Sequence, residues 1–198
     1  MILKKLALSA IATGALVVGN SAQATTYQFG QLLSGGGPAS AHFADLSATD
    51  DGGGNWTFTL TTLDLNAIFG AGSFIGTMAV DGIKPTSSST DAGGGVTVVD
   101  PANGSGPGGS FDFRYGFGSG GSSDRLTSNE SVTWHVSGLG SDPLPLDGQL
   151  ALHVQATSST QDSVWYISPV PEPETYTMLL AGLGLLGFAA RRRKELAM

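Results

Sequence analysis

Short segments in the middle of the chain alternate apolar and polar residues with a period of two, which is typical of half-buried β-strands. In NWTFTLTTL, the side chains of Trp56, Phe58 and Leu60 share one face, and threonines occupy the other. The same alternation predicts three further strands, which span residues 110–117, 131–137 and 149–156. Weaker patterns predict five more, at 26–33, 42–46, 73–80, 95–99 and 162–168.

Nine short strands, each with one apolar face, need a second layer that buries those faces. The pattern therefore predicts an all-β fold, an antiparallel β-sandwich of jelly-roll or immunoglobulin-like type. Glycine-rich stretches such as SGGGPAS and TDDGGGN separate the strands and predict turns. One helical turn is predicted near residues 65–69. We assign the sandwich to residues 25–168, the size of one ordinary domain.

The N-terminal segment has the organisation of a secretory signal peptide. Two lysines precede an apolar run from Leu6 to Val18, and small residues follow up to Ala22 and Ala24. An alanine at each of these two positions is typical of a cleavage site. Residues 1–24 are therefore predicted to be a signal peptide that is cleaved after Ala24.

The C-terminal segment contains a second apolar run, which covers residues 175–190. As a helix these sixteen residues would reach about 24 Å, less than the roughly 30 Å of a bilayer core. A proline-rich linker, SPVPEPE, precedes the run, and four basic residues follow it at 191–194. The positive-inside rule places those basic residues in the cytoplasm and the domain outside.

Composition excludes several classes of function. Residues 25–168 carry thirteen acidic and three basic side chains, a formal charge of −10, so nucleic-acid binding is not expected. The chain has no cysteine, which excludes disulfides, thiolate metal sites and a cysteine nucleophile.

No catalytic constellation is recognisable, so no catalytic residue is assigned. Residues 116–121 match G-x-G-x-x-G, but no helix is predicted after them that could hold a pyrophosphate. His42, His135 and His153 lie outside any close-spaced ligand motif. The rings of His135 and His153 could meet if their strands pair, but solvent-facing or hydrogen-bonded histidines are favoured over a metal pair.

Several acidic residues lie in or beside glycine-rich loops, where their oxygens could collect a calcium ion. None matches an EF-hand loop, so structural calcium is an open alternative. The sequence requires no cofactor, and it does not identify a metal. Asp112 and Arg114 share a strand face and are predicted to form a surface ion pair. The loop acids in question are Asp50, Asp51, Asp91, Asp100 and Asp124.

The tail resembles the PEP-CTERM sorting signal. Three features occur in the order of that family: the tripeptide Pro171-Glu172-Pro173, an apolar helix, and the basic cluster Arg191, Arg192, Arg193 and Lys194. The resemblance covers residues 169–198. It implies processing by an exosortase, a membrane-embedded enzyme of Gram-negative bacteria that make exopolysaccharide. It also implies an inner-membrane intermediate held by the basic cluster, and then delivery to the cell surface, outer envelope or extracellular matrix.

These observations favour a non-enzymatic surface or matrix protein whose partners are the exosortase, the membrane before processing, and an exopolysaccharide. One alternative is a carbohydrate-binding module, with or without calcium, that uses the polar sheet face around His135, His153 and Gln155. Another is a secreted hydrolase with two paired carboxylates.

Overall fold

The structure is a computed structural model that describes residues 24–90, 96–104, 106–107, 111–118, 122–139, 149–158, 162–168 and 182–184. The described part of the domain contains ten strands and one short α-helix. They are β1 Ala24–Ser34, β2 Ser40–Gly52, β3 Asn55–Thr62, α1 Leu65–Phe69, β4 Phe74–Val80, β5 Ser87–Thr90, β6 Val98–Asn103, β7 Phe113–Phe117, β8 Ser131–Ser137, β9 Leu150–Gln155 and β10 Ser163–Ser168.

The ten strands form one antiparallel sheet in the order β5-β8-β3-β2-β1-β10-β9-β4-β7-β6. The sheet folds over on itself, because strands far apart in this order pack face to face. The ring of Trp134 on β8 lies 5.4 Å from that of Tyr115 and 5.8 Å from that of Phe117, both on β7. The predicted all-β, sandwich-like class is therefore confirmed.

We call the strands β5, β8, β3, β2 and β1 the first half of the sandwich, and the strands β10, β9, β4, β7 and β6 the second half. The chain changes halves at each connection from β3 to β6. This alternation favours the jelly-roll alternative over the immunoglobulin-like one. The halves are joined through the β1–β10 pair, so one core lies between them.

Each of the nine predicted strands overlaps a strand of the structure, but the one predicted at 95–99 begins only at Val98 and continues to Asn103. The predicted alternation places Trp56, Phe58 and Leu60 in the core. The helical turn is also present, and the Asp64 side chain caps it by accepting from the backbone N–H of Ala67. Sequence reasoning missed β5, whose residues SSST have no apolar alternation. Pairing with β8 holds β5 in place.

The strand predicted over residues 110–117 is shorter at its start than expected. Strand β7 begins only at Phe113, so the alternation does not extend back to Phe111. Phe111 instead packs with Ala79 and Ala151 in a small cluster separate from the main core. These two alanines point away from the core, so the small cluster lies on the outer surface of the second half.

Several predicted features lie outside the described residues: Ala22 and most of the signal peptide, Pro171, Glu172 and Pro173 of the motif, and the basic cluster at 191–194. Ala24 is described and begins β1. Of the apolar run at 175–190, the structure describes only residues 182–184. Within the parts of the chain that are described, no helix has the length and apolar character needed to cross a membrane.

Candidate functional site

Two rings stack on the outer surface of the second half. Val164 and Tyr166 of β10 point into the core, so Trp165 between them points outward, and the same alternation turns His153 of β9 outward. Trp165 and His153 are direct partners in the β9–β10 ladder. Their ring centroids are 4.4 Å apart, and the ring planes differ by 8°.

The amide of Gln155 completes this arrangement. Its Nε2 donates to Nδ1 of His153 at 3.1 Å, so the imidazole proton lies on Nε2. The amide lies over Gly76, where the β4–β9 register shifts. A Cβ atom at Gly76 would come within 2.9 Å of the Gln155 side chain, so a glycine makes room for it.

The surroundings of the stack are small or apolar. Thr77 of β4 is the ladder partner of His153 on the side away from Trp165, and Ser34 of β1 is the other partner of Trp165. Leu33 lies in the irregular part of β1 and is 38% exposed. We call Trp165, His153, Gln155 and Thr77 the outer cluster.

Burial lowers the pKa of His153 below its ordinary value, because desolvation disfavours the charged imidazolium. The ring is therefore uncharged at neutral pH. A neutral imidazole also matches the hydrogen bond from Gln155, since Nδ1 can accept only when it carries no proton.

This lowered pKa predicts a loss of stability in acid. Histidine in the unfolded chain titrates near pH 6.5, so as the pH falls through about 6.5 the unfolded state takes up a proton before the folded state does. The contribution of His153 is therefore present above pH 6.5 and lost as the pH approaches its lower folded pKa. The urea midpoint of unfolding should decrease between pH 7.5 and pH 5, and this decrease should be larger for the wild-type protein than for H153Q.

The matched control for this measurement is H135Q, which removes a histidine from the first half. Comparing H135Q with H153Q separates the effect of His153 from the general effect of replacing a histidine. An equal acid response in H153Q and the wild-type protein would contradict the assignment to His153.

His135 is not part of the outer cluster, so the predicted single polar face around His135, His153 and Gln155 is wrong. Strand β8 pairs with β3 and β5, whereas β9 pairs with β10 and β4, which puts the two histidines in different halves of the sandwich. His135 Nδ1 instead lies 2.8 Å from the hydroxyl of Thr57, which donates to Asp51 at 2.6 Å.

The loop acids cap turns and bind local hydroxyl groups. Asp50 accepts from the backbone N–H of Gly52 and Asp124 from that of Thr97. Asp91 and the side chain of Asp100 lie outside the described residues. Over the part of the chain that the structure describes, no three histidine or acidic side chains form a group that could hold a metal ion.

The predicted Asp112–Arg114 ion pair is not formed. The carboxylate of Asp112 accepts from the backbone N–H of Gly82 at 2.9 Å. The ion pair that the described residues do form joins His42 and Asp45, three positions apart on the exposed surface of β2.

Of the residues 116–121 that match G-x-G-x-x-G, the structure describes Gly116, Phe117 and Gly118, at and just after the end of β7. Gly118 has a φ of 95°, and a Cβ atom there would press against the carbonyl oxygen of Asp124. The described residues that follow are a 3-10 turn at Ser122–Asp124. The glycine therefore permits a tight backbone contact at a strand end.

An all-β domain followed by a proline-rich linker, an apolar segment and a basic cluster defines an exported protein with a C-terminal sorting segment. The family model of the PEP-CTERM protein-sorting motif matches residues 169–194, so the chain carries this sorting motif. The motif implies export toward the cell surface and processing by an exosortase.

The other comparisons add no function. No curated protein matches the chain. A solved structure described as "pH-induced modulation of Streptococcus parasanguinis adhesion by Fap1 fimbriae" aligns with a TM-score of 0.43 and 11% sequence identity. The alignment covers 77% of this chain and 98% of the other.

Proposed function

We propose that this protein is a non-enzymatic component of the cell surface or extracellular matrix, released from an inner-membrane intermediate by exosortase processing. The observation that carries the proposal is the PEP-CTERM motif at residues 169–194. The exposed strand faces bear small hydroxyl side chains, as in the 2.9 Å contact between Thr59 and Thr133. A surface of this kind suits a hydrated polymer environment.

The proposed route follows from the two chain ends. The signal peptide at 1–24 would start export, and the apolar run at 175–190 would stop it in the inner membrane. The basic residues at 191–194 would remain cytoplasmic, and the acidic domain would lie outside. The tripeptide at 171–173 would then lie just before the helix, at the outer surface of the inner membrane. A membrane-embedded enzyme could reach it there.

The positions of the reactive side chains support a role without catalysis. His42 pairs with Asp45 on β2, His135 binds Thr57 on β3, and His153 stacks on Trp165 in the other half. None of these pairs combines a nucleophile, a base and an oxyanion site in one cleft, which acyl transfer requires.

Deleting the exosortase of the native host tests the proposal. In wild-type cells we expect the β-domain in the outer envelope or the medium, and in the deletion strain we expect it in the inner membrane at full length. Cell fractionation and immunoblotting with an antibody against the domain would measure this. A signal-peptide protein without the tail motif serves as the control and should not change its location. An unchanged distribution of the domain would contradict the proposal.

A further inference from the structure

We propose that the outer cluster binds the ring of an uncharged sugar residue within a polysaccharide chain. The inference goes beyond the proposed function, because it names a ligand class and a site. It does not depend on sorting by the tail.

The Trp165–His153 stack supplies the apolar part of such a site. Each ring covers one face of the other, which leaves the outer face of each ring turned toward a neighbouring strand. The ladder partners on those sides are Thr77 and Ser34, both small. Sugar rings present C–H groups on one face, and these pack against aromatic rings.

The apolar surface continues beside the stack. Ile167 lies next to Trp165 along β10 and is partly buried, and both side chains pack against Ala79 and Ala151, which are themselves buried with Phe111. Leu33, which precedes Ser34 in the irregular part of β1, adds an exposed apolar side chain. The Trp165–His153 stack lies on the outer face of a sheet, so it can accept one residue of a long chain without enclosing the chain ends.

Polar groups at the rim match the hydroxyl groups of a sugar. His153 Nε2 carries a proton and can donate, since Nδ1 is already occupied by Gln155. The carbonyl oxygen of the Gln155 amide can accept, and the hydroxyl of Thr77 can do both. One apolar face with a few directed polar groups is the usual design of a small-molecule site.

Charge selects an uncharged ligand. The domain has a formal charge of −10 and therefore repels anionic polymers. Of the described cations, Arg125 has its guanidinium 4.2 Å over the ring of Phe74. The burial that lowers the pKa of His153 also keeps the imidazole uncharged at neutral pH.

Affinity electrophoresis of the purified full-length protein tests the site. Native gels would contain laminarin, dextran or galactomannan as neutral probes and alginate as the anionic probe. We expect at least one neutral polysaccharide to retard the wild-type protein, and we expect W165A to weaken that retardation roughly tenfold, as the loss of an aromatic contact implies. W165Y, which keeps a ring, should lose less than W165A.

The matched control is H135A, which truncates a histidine on the outer face of the first half and should bind as the wild-type protein does. Tryptophan fluorescence gives a second measurement that needs no variant. Trp56 and Trp134 are buried, so a change in emission on adding the polysaccharide would report on Trp165. Near-ultraviolet circular dichroism establishes that each variant is folded.

Three outcomes would overturn the proposal: no retardation by any neutral probe, wild-type binding by folded W165A, or retardation by alginate alone. All three are measured with purified protein. They are therefore distinct from any failure of the sorting proposal, which is measured in cells.

Discussion

Replacing Trp134 with alanine is expected to lower the free energy of unfolding by about 3 to 5 kcal/mol, the range for removing a large buried aromatic side chain. Trp134 is 0% exposed and is the largest fully buried side chain of the domain's described part. Because small domains are stable by only about 5 to 15 kcal/mol, this loss would remove a large fraction of the total stability.

The reason is the position of Trp134 between the two halves of the sandwich. Its ring stacks on that of Phe58 in the same half, with centroids 5.4 Å apart. It also meets Tyr115 and Phe117 of the opposite half. Alanine would therefore leave a cavity lined by three aromatic rings, and the surrounding strands could close it only by moving together.

The matched control is W134F. The indole N–H of Trp134 is buried and finds no acceptor among the described residues, which costs stability in the native protein. Phenylalanine removes that unpaired donor while keeping a ring, so W134F should lose less than half of what W134A loses. Urea denaturation followed by circular dichroism would measure both. Equal stability of W134A and the wild-type protein would contradict the assigned core.

Replacing Pro171, Glu172 and Pro173 together with alanine is expected to abolish processing of the tail. The two prolines restrict the backbone to extended conformations and the glutamate adds a charge, and alanines would instead extend the following helix. The variant should accumulate at full length in the inner membrane, whereas the wild-type protein leaves it.

Glu174 provides the matched control for this variant. It lies directly after the tripeptide, so E174A alters the same linker and leaves the motif intact. E174A should be processed like the wild-type protein, as judged by the size and location of the domain on immunoblots. Normal processing of the triple-alanine variant would contradict the role of the motif.

The fold could be predicted largely from the alternation of side chains, because each long strand has one face in the core. Strand β3 shows this directly, since Trp56, Phe58 and Leu60 are buried and Thr61 is exposed. The pattern failed where no face is apolar, as in β5, and where a loop carries an aromatic residue, as at Phe111. The conformation of β5 and the burial of Phe111 depend on contacts with strands that are distant in sequence.

The outer cluster was predicted only in part. His153 and Gln155 were assigned correctly to the polar face of β9, but the partner was wrong, because strand order cannot be read from periodicity. The hairpin register could have found the correct partner: the pairing of Gln155 with Ser163 sets His153 opposite Trp165. Strands β9 and β10 are joined by a short connection, so this pairing was the simplest one available.

The sorting motif is predictable from sequence for a different reason. It is a linear motif, so its tripeptide, apolar run and basic cluster are recognisable without knowledge of the fold. The ligand-binding surface, in contrast, is assembled from strands that come together only on folding. The sequence of this protein therefore predicts its sorting more directly than it predicts a ligand.

The intact mass of the protein collected from the surface or medium of native host cells tests the central claim most directly. We expect a mature chain that begins at Thr25 and ends near Pro171-Glu172-Pro173, without the apolar run at 175–190 and the basic residues at 191–194. A surface protein whose mass still includes Arg191 to Lys194 would contradict sorting by exosortase processing.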